Sequence, residues 1–307
     1  MNVLLCPGQG AQKVGMGKDL AERFPAARAV FEAIDDALGV SLTRIMWDGP
    51  EEELTLTHNA QPAILAHSAA VLAALGDALA PVCAGAGHSL GEYTAYVAAG
   101  ALDPRDAARL VRRRGELMLQ AGQQRPGAMS AVLGLGTSDV ERACNEASTR
   151  DGIVVAANLN APDQTVISGD PPAVERAGEL CKSLGAKRVL PLKVSGAFHS
   201  PLMAPAVDGL HEALHGTSFR DPAFPVIANA SAAPVTLAVD APRLLADQLT
   251  APVRWVESME QLAVRCPDAT FVEVGPGTVL SGLARRILPG AQTRSVGTAD
   301  DVEKFLA

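Results

Sequence analysis

The chain has 307 residues, of which 48% are hydrophobic and 20% are charged, so it can bury a sizeable core and does not have the composition of a disordered protein. Its 26 basic and 34 acidic residues give a net charge of −8, and only 4% of the residues are aromatic. This composition argues against a nucleic-acid-binding protein, which needs a basic surface and often uses aromatic stacking platforms.

The five cysteines are scattered and include no C-x-x-C pair, which predicts reduced thiols without a zinc site or a disulfide framework. The N-terminal residues lack a basic region and a long apolar run, so no signal peptide is expected. The most apolar stretch, 62–86, is interrupted by polar residues and falls short of the roughly 20 apolar residues that a membrane span needs. These patterns predict a soluble, cytoplasmic protein.

Short apolar runs alternate with amphipathic patterns along the chain, which predicts an α/β fold with a mostly parallel sheet covered by helices. A strand at 3–6 is followed by helical patterns at 20–38 and 62–79. Pro25 is expected to break the first pattern, and Pro62 to lie in the first turn of the second. A strand at 81–87 then precedes helices at 90–99 and 106–120.

The segment 126–193 has a different character. Its patterns predict strand, helix, strand, strand, helix and strand, which is the ferredoxin-like order, at 128–133, 138–147, 153–158, 164–168, 171–184 and 187–192. The α/β pattern then resumes, with strands at 226–229, 270–274 and 293–296 and helices at 242–249 and 278–287. We therefore expect a large α/β domain of residues 1–125 and 194–307, interrupted by a small domain of residues 126–193.

The strongest single motif is Gly87-His88-Ser89-Leu90-Gly91, a G-x-S-x-G sequence between a predicted strand and a predicted helix. Small residues on both sides of the serine allow a tight turn that exposes its hydroxyl at a helix N-terminus. In this context the motif predicts that Ser89 is a catalytic nucleophile, and a Gly-Ser turn with a purely structural role is the alternative.

A serine nucleophile needs a base, and the sequence offers six histidines. His199 is the best candidate, because it follows the serine along the chain and lies in a loop bracketed by Gly196 and Pro201. His88 adjoins Ser89, but adjacent side chains on a sharp turn point apart. The remaining histidines are expected to be structural or solvated, and the pair spaced four apart lacks a third metal ligand; these are His58, His67, His211 and His215. No triad acid stands out.

Six motifs occur in order along the chain: PGQGAQ at 7–12, GHSLGE at 87–92, RG at 114–115, GAFHS at 196–200, QLTAPVRW at 248–255 and EVGPG at 273–277. Together they resemble the malonyl-CoA:acyl carrier protein transacylases of fatty acid synthesis and the related polyketide acyltransferases, over essentially the whole chain. The resemblance implies an α/β-hydrolase-like large domain, a ferredoxin-like small domain and ping-pong transfer of a malonyl group through an acyl-serine.

The resemblance also assigns residues to roles. It implies that Ser89 attacks the thioester and that His199 acts as base and then as acid. Gln248 matches the position whose backbone carbonyl orients the histidine, so no carboxylate is needed there. The backbone N–H groups of Gln9 and Leu90 would form the oxyanion hole.

The acyl group would meet three further side chains. Arg114 matches the arginine that binds the malonyl carboxylate, with a planar fork suited to two parallel hydrogen bonds. Its neighbours Arg112 and Arg113 are expected to be solvated. Gln61 matches a further glutamine near the acyl site, although it would also suit a helix start before proline. Phe198 would crowd an α-methyl branch and so favours malonyl over methylmalonyl.

The resemblance implies malonyl-CoA and acyl carrier protein as partners, a monomer, and no cofactor or metal. The composition and the interrupted apolar stretch already argue against nucleic acid and a membrane. Basic residues are candidates for the carrier-docking surface, with scattered solubilising charge as the alternative: Lys182, Lys187, Arg188, Lys193, Arg285 and Arg286. Three other functions remain open from the residues. They are a discrete acyltransferase that serves a polyketide synthase in trans, a thioester hydrolase and an inactive docking module.

Overall fold

A computed structural model describes all residues, 1–307. Fourteen α-helices are present: α1 Lys18–Arg23, α2 Pro25–Leu38, α3 Leu42–Asp48, α4 Glu51–Thr55, α5 Thr57–Leu75, α6 Gly91–Ala98, α7 Pro104–Gln124, α8 Thr137–Ala147, α9 Pro171–Ser183, α10 Ala204–His215, α11 Ala241–Asp247, α12 Trp255–Arg265, α13 Val279–Ile287 and α14 Ala299–Leu306. The ten strands are: β1 Asn2–Cys6, β2 Val82–Gly87, β3 Ala128–Leu133, β4 Val154–Ala161, β5 Gln164–Gly169, β6 Arg188–Pro191, β7 Val226–Ile227, β8 Pro234–Val235, β9 Thr270–Val274 and β10 Thr293–Val296.

The larger sheet has six strands in the order β10-β9-β1-β2-β7-β8, and all neighbours are parallel except β7 and β8. The α/β class with a parallel sheet is therefore confirmed. Cys6 pairs with Gly87, so β1 and β2 end side by side. The loops that follow them meet at the carboxyl edge of the sheet, which is where open α/β folds bind their ligands.

The smaller sheet has four antiparallel strands in the order β4-β5-β3-β6. Counted along the segment, this is second, third, first and fourth, the arrangement of a ferredoxin-like unit. One face packs on α8 and α9 in a separate apolar cluster of 12 buried residues. From the other face, Met129, Ala157 and Val166 join the 54-residue cluster that fills the centre of the protein.

The small sheet is also bonded through the backbone to a loop of the larger part of the chain. The Val253 N–H donates to the Ala157 carbonyl at 2.8 Å, and the Leu159 N–H donates to the Val253 carbonyl at 2.9 Å. These bonds attach β4 to the segment between α11 and α12, which carries part of the QLTAPVRW motif.

Helix α5 differs from the sequence prediction. It begins at Thr57 instead of Pro62, which therefore lies inside the helix. The first turn is held by packing, since Thr57 and Asn59 are buried although neither is a strong helix former. By length and hydropathy, residues 57–79 could cross a membrane, but 67% of the most apolar 18-residue stretch among them is buried inside the protein. Its apolar composition is accounted for by its central position against α2 and α7.

The prediction of unpaired cysteines is wrong for one pair. Cys83 on β2 and Cys266 at the end of α12 form a disulfide, with Cα atoms 6.3 Å apart. They are separated by 183 residues, so no local spacing of cysteines predicts the pairing. The packing of α12 on the sheet brings them together. The other three cysteines are free and buried.

Candidate active site

Ser89 lies on the sharp turn between β2 and α6, with a left-handed φ of 54°. A Cβ on Gly87 would lie 1.9 Å from the Gly91 carbonyl carbon, and one on Gly91 would lie 2.2 Å from the Cys6 carbonyl oxygen. Neither position can hold a side chain unless the backbone moves. The two glycines of the motif therefore allow the strained turn that presents the serine.

Ser89 and His199 meet across the carboxyl edge of the sheet. The Ser89 Oγ lies 2.8 Å from His199 Nε2, and His199 Nδ1 lies 2.9 Å from the backbone carbonyl of Gln248. A carbonyl can only accept, so Nδ1 carries the hydrogen and Nε2 is free to accept the serine proton. His199 is 4% exposed and, like Ser89, has a left-handed φ, of 55°.

The environment keeps the His199 imidazole neutral. Burial, helped by the positive charge of Arg114, lowers the pKa of His199 to about 3 from its ordinary value of 6.5. A neutral imidazole with its hydrogen on Nδ1 is the form that a general base needs. The group that orients it is the uncharged backbone carbonyl of Gln248, which accounts for the absence of a recognisable triad acid in the sequence.

Two backbone N–H groups flank the serine without a protein partner. Gln9 follows β1 and Leu90 follows the nucleophile, and neither N–H is the donor of any of the hydrogen bonds made in turns, loops and caps. The Gln9 turn approaches the nucleophile turn closely, because a Cβ on Gly8 would lie 2.6 Å from the His88 carbonyl oxygen. Free donors beside a nucleophile can stabilise the oxyanion that forms on an attacked carbonyl.

Arg114 on α7 points into the same site and is 1% exposed. Its Nη2 donates to Ser89 Oγ at 3.0 Å and to the Gln248 side-chain oxygen at 2.9 Å, while Nη1 donates to the Gln61 side-chain oxygen at 2.7 Å. Burial lowers the pKa of the Arg114 guanidinium. The group still carries its charge, because arginine side chains stay protonated in proteins. A buried cation within 3 Å of the nucleophile is suited to an acyl group that carries a carboxylate.

Helices α5 and α7 pack closely enough to align this cation. A Cβ on Gly115 would lie 2.5 Å from the His58 Cα, so the glycine after Arg114 permits the close approach. Gln61 in turn donates to the Thr57 hydroxyl at 3.0 Å, and Thr57 donates to the Gln9 side-chain oxygen at 3.0 Å. A chain of hydrogen bonds thus connects the arginine to the turn after β1.

A cavity of about 780 Å³ opens above these groups, between the two sheets. Ser89, His199 and Arg114 lie on its inner wall, while Lys193 and Phe198 line it from the segment that leaves the small sheet. Phe198 is 6% exposed. The cavity is lined by Met129 and Asn158 of the small sheet and by loops that follow β1 and β2 of the large sheet, a concave site of the kind that binds small ligands.

None of the other histidines is hydrogen-bonded to Ser89, although His88 precedes it in the chain and lines the cavity. His67 Nε2 contacts the Gly297 carbonyl at 2.7 Å in the core, and His88 Nε2 contacts the Asn160 side-chain oxygen at 2.8 Å. His211 and His215 stack on the exposed face of α10, and no group of three metal-ligating side chains occurs in the chain. Arg113 is exposed as expected, but Arg112 is partly buried and donates to Glu116 at 2.8 Å and to the Asn59 side-chain oxygen at 2.6 Å.

Two buried residues near the serine were missed as functional candidates. In the sequence, Glu92 is only the last residue of the GHSLGE motif, and Asn229 is only the last residue of the strand predicted at 226–229. Both are fully buried and bond to groups that surround Ser89. No sequence signal links them, since they are 137 residues apart.

An α/β sheet that presents a serine, a neutral histidine and two free N–H groups defines an enzyme of the serine-dependent acyl-transfer class. A family model described as an acyl transferase domain matches residues 3–304. The chain belongs to this family and is an acyltransferase.

Similar proteins share the whole length of the chain. It is 45% identical to the malonyl CoA-acyl carrier protein transacylase of Bacillus subtilis (strain 168), covering 97% of this chain and 94% of that one. It is 43% identical to the protein of the same name from Haemophilus influenzae, with 99% and 98% covered. A solved acyl carrier protein S-malonyltransferase from Vibrio cholerae superposes with a TM-score of 0.94 at 41% identity, covering 99% of each chain.

A second solved structure is that of a malonyl-transacylase in complex with its type II polyketide acyl carrier protein. It superposes with a TM-score of 0.95 at 41% identity, covering 99% of this chain and 98% of that one.

Proposed function

We propose that this enzyme transfers the malonyl group from malonyl-CoA to the phosphopantetheine thiol of acyl carrier protein, and so supplies extender units for fatty acid synthesis. The observation that carries the proposal is the buried guanidinium of Arg114, 3.0 Å from the Ser89 hydroxyl. In a malonyl thioester the carboxylate is only one methylene away from the reacting carbonyl. A cation directly beside the nucleophile therefore fits this acyl group better than a neutral one.

In the first half-reaction, the Ser89 oxygen attacks the thioester carbonyl and gives its proton to His199 Nε2. The oxyanion accepts hydrogen bonds from the Gln9 and Leu90 N–H groups. As the tetrahedral intermediate collapses, the C–S bond breaks and His199 returns the proton to the CoA thiolate. The product is a malonyl ester of Ser89, and CoA leaves.

The second half-reaction runs through the same groups in reverse. The phosphopantetheine thiol gives its proton to His199, and the thiolate attacks the malonyl ester. The serine oxygen then leaves and takes the proton from His199, which restores the free enzyme.

Neither half-reaction requires a redox change or a metal ion, so we expect EDTA to leave the rate of malonyl transfer unchanged. Loss of activity in EDTA that only an added divalent metal restores would contradict this mechanism.

The side chains around the acyl group set its identity. Arg114 would grip the carboxylate, and Gln61 holds the guanidinium in place at 2.7 Å. Phe198, in the wall of the cavity, would exclude a branch at the α-carbon. The Gln248 carbonyl holds the ring of His199 throughout.

The carrier protein would dock over the mouth of the cavity, where Lys193 is exposed. Arg286 and Lys182 are each paired with an acidic neighbour, whereas Lys187 and Arg188 have no ion pair. Arg285 has no ion pair either, but its guanidinium donates to the Thr293 hydroxyl at 2.6 Å. The three unpaired cations on or beside β6, which are Lys187, Arg188 and Lys193, are therefore the better candidates for contact with an acidic carrier. We propose a monomeric, cytoplasmic enzyme in which residues 126–193 form the small domain.

The test is mass spectrometry of the intact protein after exposure to malonyl-CoA. We expect a malonyl adduct on Ser89, its absence from Ser89→Ala, and loss of the adduct when holo acyl carrier protein is added. Continued CoA release without any thiol acceptor would instead indicate a hydrolase. Carriers from fatty acid and polyketide systems are compared side by side, and transfer only to the polyketide carrier would overturn the assignment to fatty acid synthesis.

A further inference from the structure

The buried carboxylate of Glu92 lies one turn after the nucleophile, and the catalytic steps above make no use of it. Glu92 is fully buried on α6. Its Oε2 accepts hydrogen bonds from the Asn229 backbone N–H at 2.9 Å and from the Gln248 side-chain nitrogen at 2.7 Å. Burying a carboxylate costs folding free energy, so a residue of this kind in the core calls for a compensating role.

Asn229, which follows β7, holds the backbone of the nucleophile turn. Its side-chain oxygen accepts from the Ser89 N–H at 2.7 Å, and its side-chain nitrogen donates to the Gly87 carbonyl at 2.7 Å. Ser89 has a left-handed φ that only outside contacts maintain. Asn229 supplies such contacts on both sides of the serine, and Glu92 fixes the backbone of Asn229.

Gln248 holds the other two functional side chains. Its backbone carbonyl accepts from His199, its side-chain oxygen accepts from Arg114, and its side-chain nitrogen donates to the Ser89 carbonyl at 3.1 Å. The same nitrogen donates to Glu92, which fixes the orientation of the amide. With the amide turned over, its nitrogen would face the Arg114 guanidinium, donor against donor.

We propose that Glu92 is a positioning residue of the acyl-transfer site, which acts through Asn229 and Gln248 to hold the Ser89 turn, the His199 ring and the Arg114 guanidinium in one geometry. The residue touches no substrate atom. It acts by accepting two hydrogen bonds on one oxygen. This proposal rests on the proposed use of Ser89 as the nucleophile.

For this positioning role, Glu92 needs an acceptor oxygen and not a negative charge. Burial raises the pKa of Glu92 to about 7, against the opposing hydrogen bonds from Asn229 and Gln248. Its second oxygen, Oε1, is buried without a partner. This oxygen can carry the proton of the neutral acid while Oε2 continues to accept both bonds, and the amide of a glutamine reproduces that arrangement.

Three variants test the proposal: Glu92→Gln, Glu92→Leu and, as a control, Glu273→Leu. Glu273 is also a fully buried carboxylate, but it accepts from the Leu280 and Ser281 N–H groups at the start of α13, outside the site. The readouts are kcat and KM for release of CoA from malonyl-CoA with holo acyl carrier protein as acceptor, and the rate at which a fluorophosphonate labels Ser89. The phosphonate carries no carboxylate and does not depend on malonyl specificity.

We expect Glu92→Leu to lower kcat and phosphonate labelling by about 100-fold, the effect of a misplacement of about 1 Å, with KM changed less than about threefold. Glu92→Gln should restore both rates to within about threefold of the original, and Glu273→Leu should leave phosphonate labelling within about threefold. If the phosphonate labels the original protein normally but malonyl-CoA leaves no malonyl adduct on it, the proposed substrate is contradicted and the positioning role of Glu92 is not.

Three results would overturn the positioning role. They are normal rates in a folded Glu92→Leu, an equal loss in Glu273→Leu, and a loss in Glu92→Gln as large as in Glu92→Leu. If Glu92→Leu does not fold, Asn229→Ala decides, because it removes the bonds to Ser89 and Gly87 directly. A hundredfold lower kcat at unchanged KM supports the proposal, and a normal kcat overturns it.

Discussion

We expect acyl selectivity to depend on Arg114, because this residue places a buried positive charge beside Ser89. We expect Arg114→Ala to lower the ratio of kcat/KM for malonyl-CoA over acetyl-CoA by about 100-fold, or about 2.7 kcal/mol, which is within the range for a lost hydrogen bond to a charged group. The measurement is steady-state transfer with each substrate. Arg113→Ala is the matched control, since this neighbour is exposed and its one ion pair is with Glu116, at 4.0 Å. An unchanged ratio in Arg114→Ala would contradict the carboxylate contact.

His199 should show an unusual pH dependence. Its pKa is lowered to about 3, chiefly by burial, so the imidazole stays unprotonated while the pH falls from 7 to about 5. Protonation removes the base, so activity is lost only as the pH approaches the lowered value. We expect kcat/KM for release of CoA to stay level between pH 7 and 5, with no decline centred on the ordinary histidine value near 6.5. A midpoint near 6.5 would show that His199 is solvated in the working enzyme.

At the scale of the elements, the contact of α5 with α7 depends on the missing side chain of Gly115. Alanine is favoured over glycine inside a helix by about 1 kcal/mol, so Gly115→Ala would stabilise the protein if space allowed. The added Cβ would instead lie 2.5 Å from the His58 Cα. We therefore expect Gly115→Ala to reduce the free energy of unfolding and to weaken malonyl selectivity, as the helix carrying Arg114 moves away from Gln61.

The control for this change is Gly282→Ala on α13, where no atom lies within 4 Å of the added Cβ. Chemical denaturation of both variants should give opposite signs, with Gly282→Ala more stable by up to about 1 kcal/mol. A stabilised Gly115→Ala would show that the two helices are not in steric contact at this point.

The sequence predicted elements well where local chemistry decides them and poorly where packing decides them. Strands at 128–133 and 270–274 were predicted with the observed bounds, because short apolar runs there are bordered by turn residues. The early start of α5 was missed because Pro62 resembles a helix start, and what extends the helix to Thr57 is burial against other elements.

The same division applies to the site. Ser89 lies in a motif that is complete within five residues, so the sequence alone could single it out. Glu92 has partners 137 and 156 residues away, and nothing near it in the chain indicates that it bonds to them. The Cys83–Cys266 disulfide was missed for the same reason, since the contact is created by the tertiary fold.

At the scale of the whole molecule, the small sheet is not an independent module. Three of its residues belong to the central core, and its strand β4 is bonded through the backbone to Val253. We expect one cooperative unfolding transition. In native-state hydrogen exchange, the amides of Leu159 and Val253 should open with the same free energy as those of β1 and β2. Exchange of β3–β6 at a clearly lower free energy would show that the small sheet unfolds separately.

The hydrogen bond from Arg114 to the Ser89 hydroxyl places the serine oxygen against a cation, which should make it a poorer nucleophile while the pocket is empty. We expect an incoming carboxylate to compete for that N–H and to free the oxygen when a suitable acyl group is in place. An acyl group without a carboxylate would leave the hydrogen bond intact. Substrates would then be distinguished by the rate of the chemical step as well as by the strength of binding.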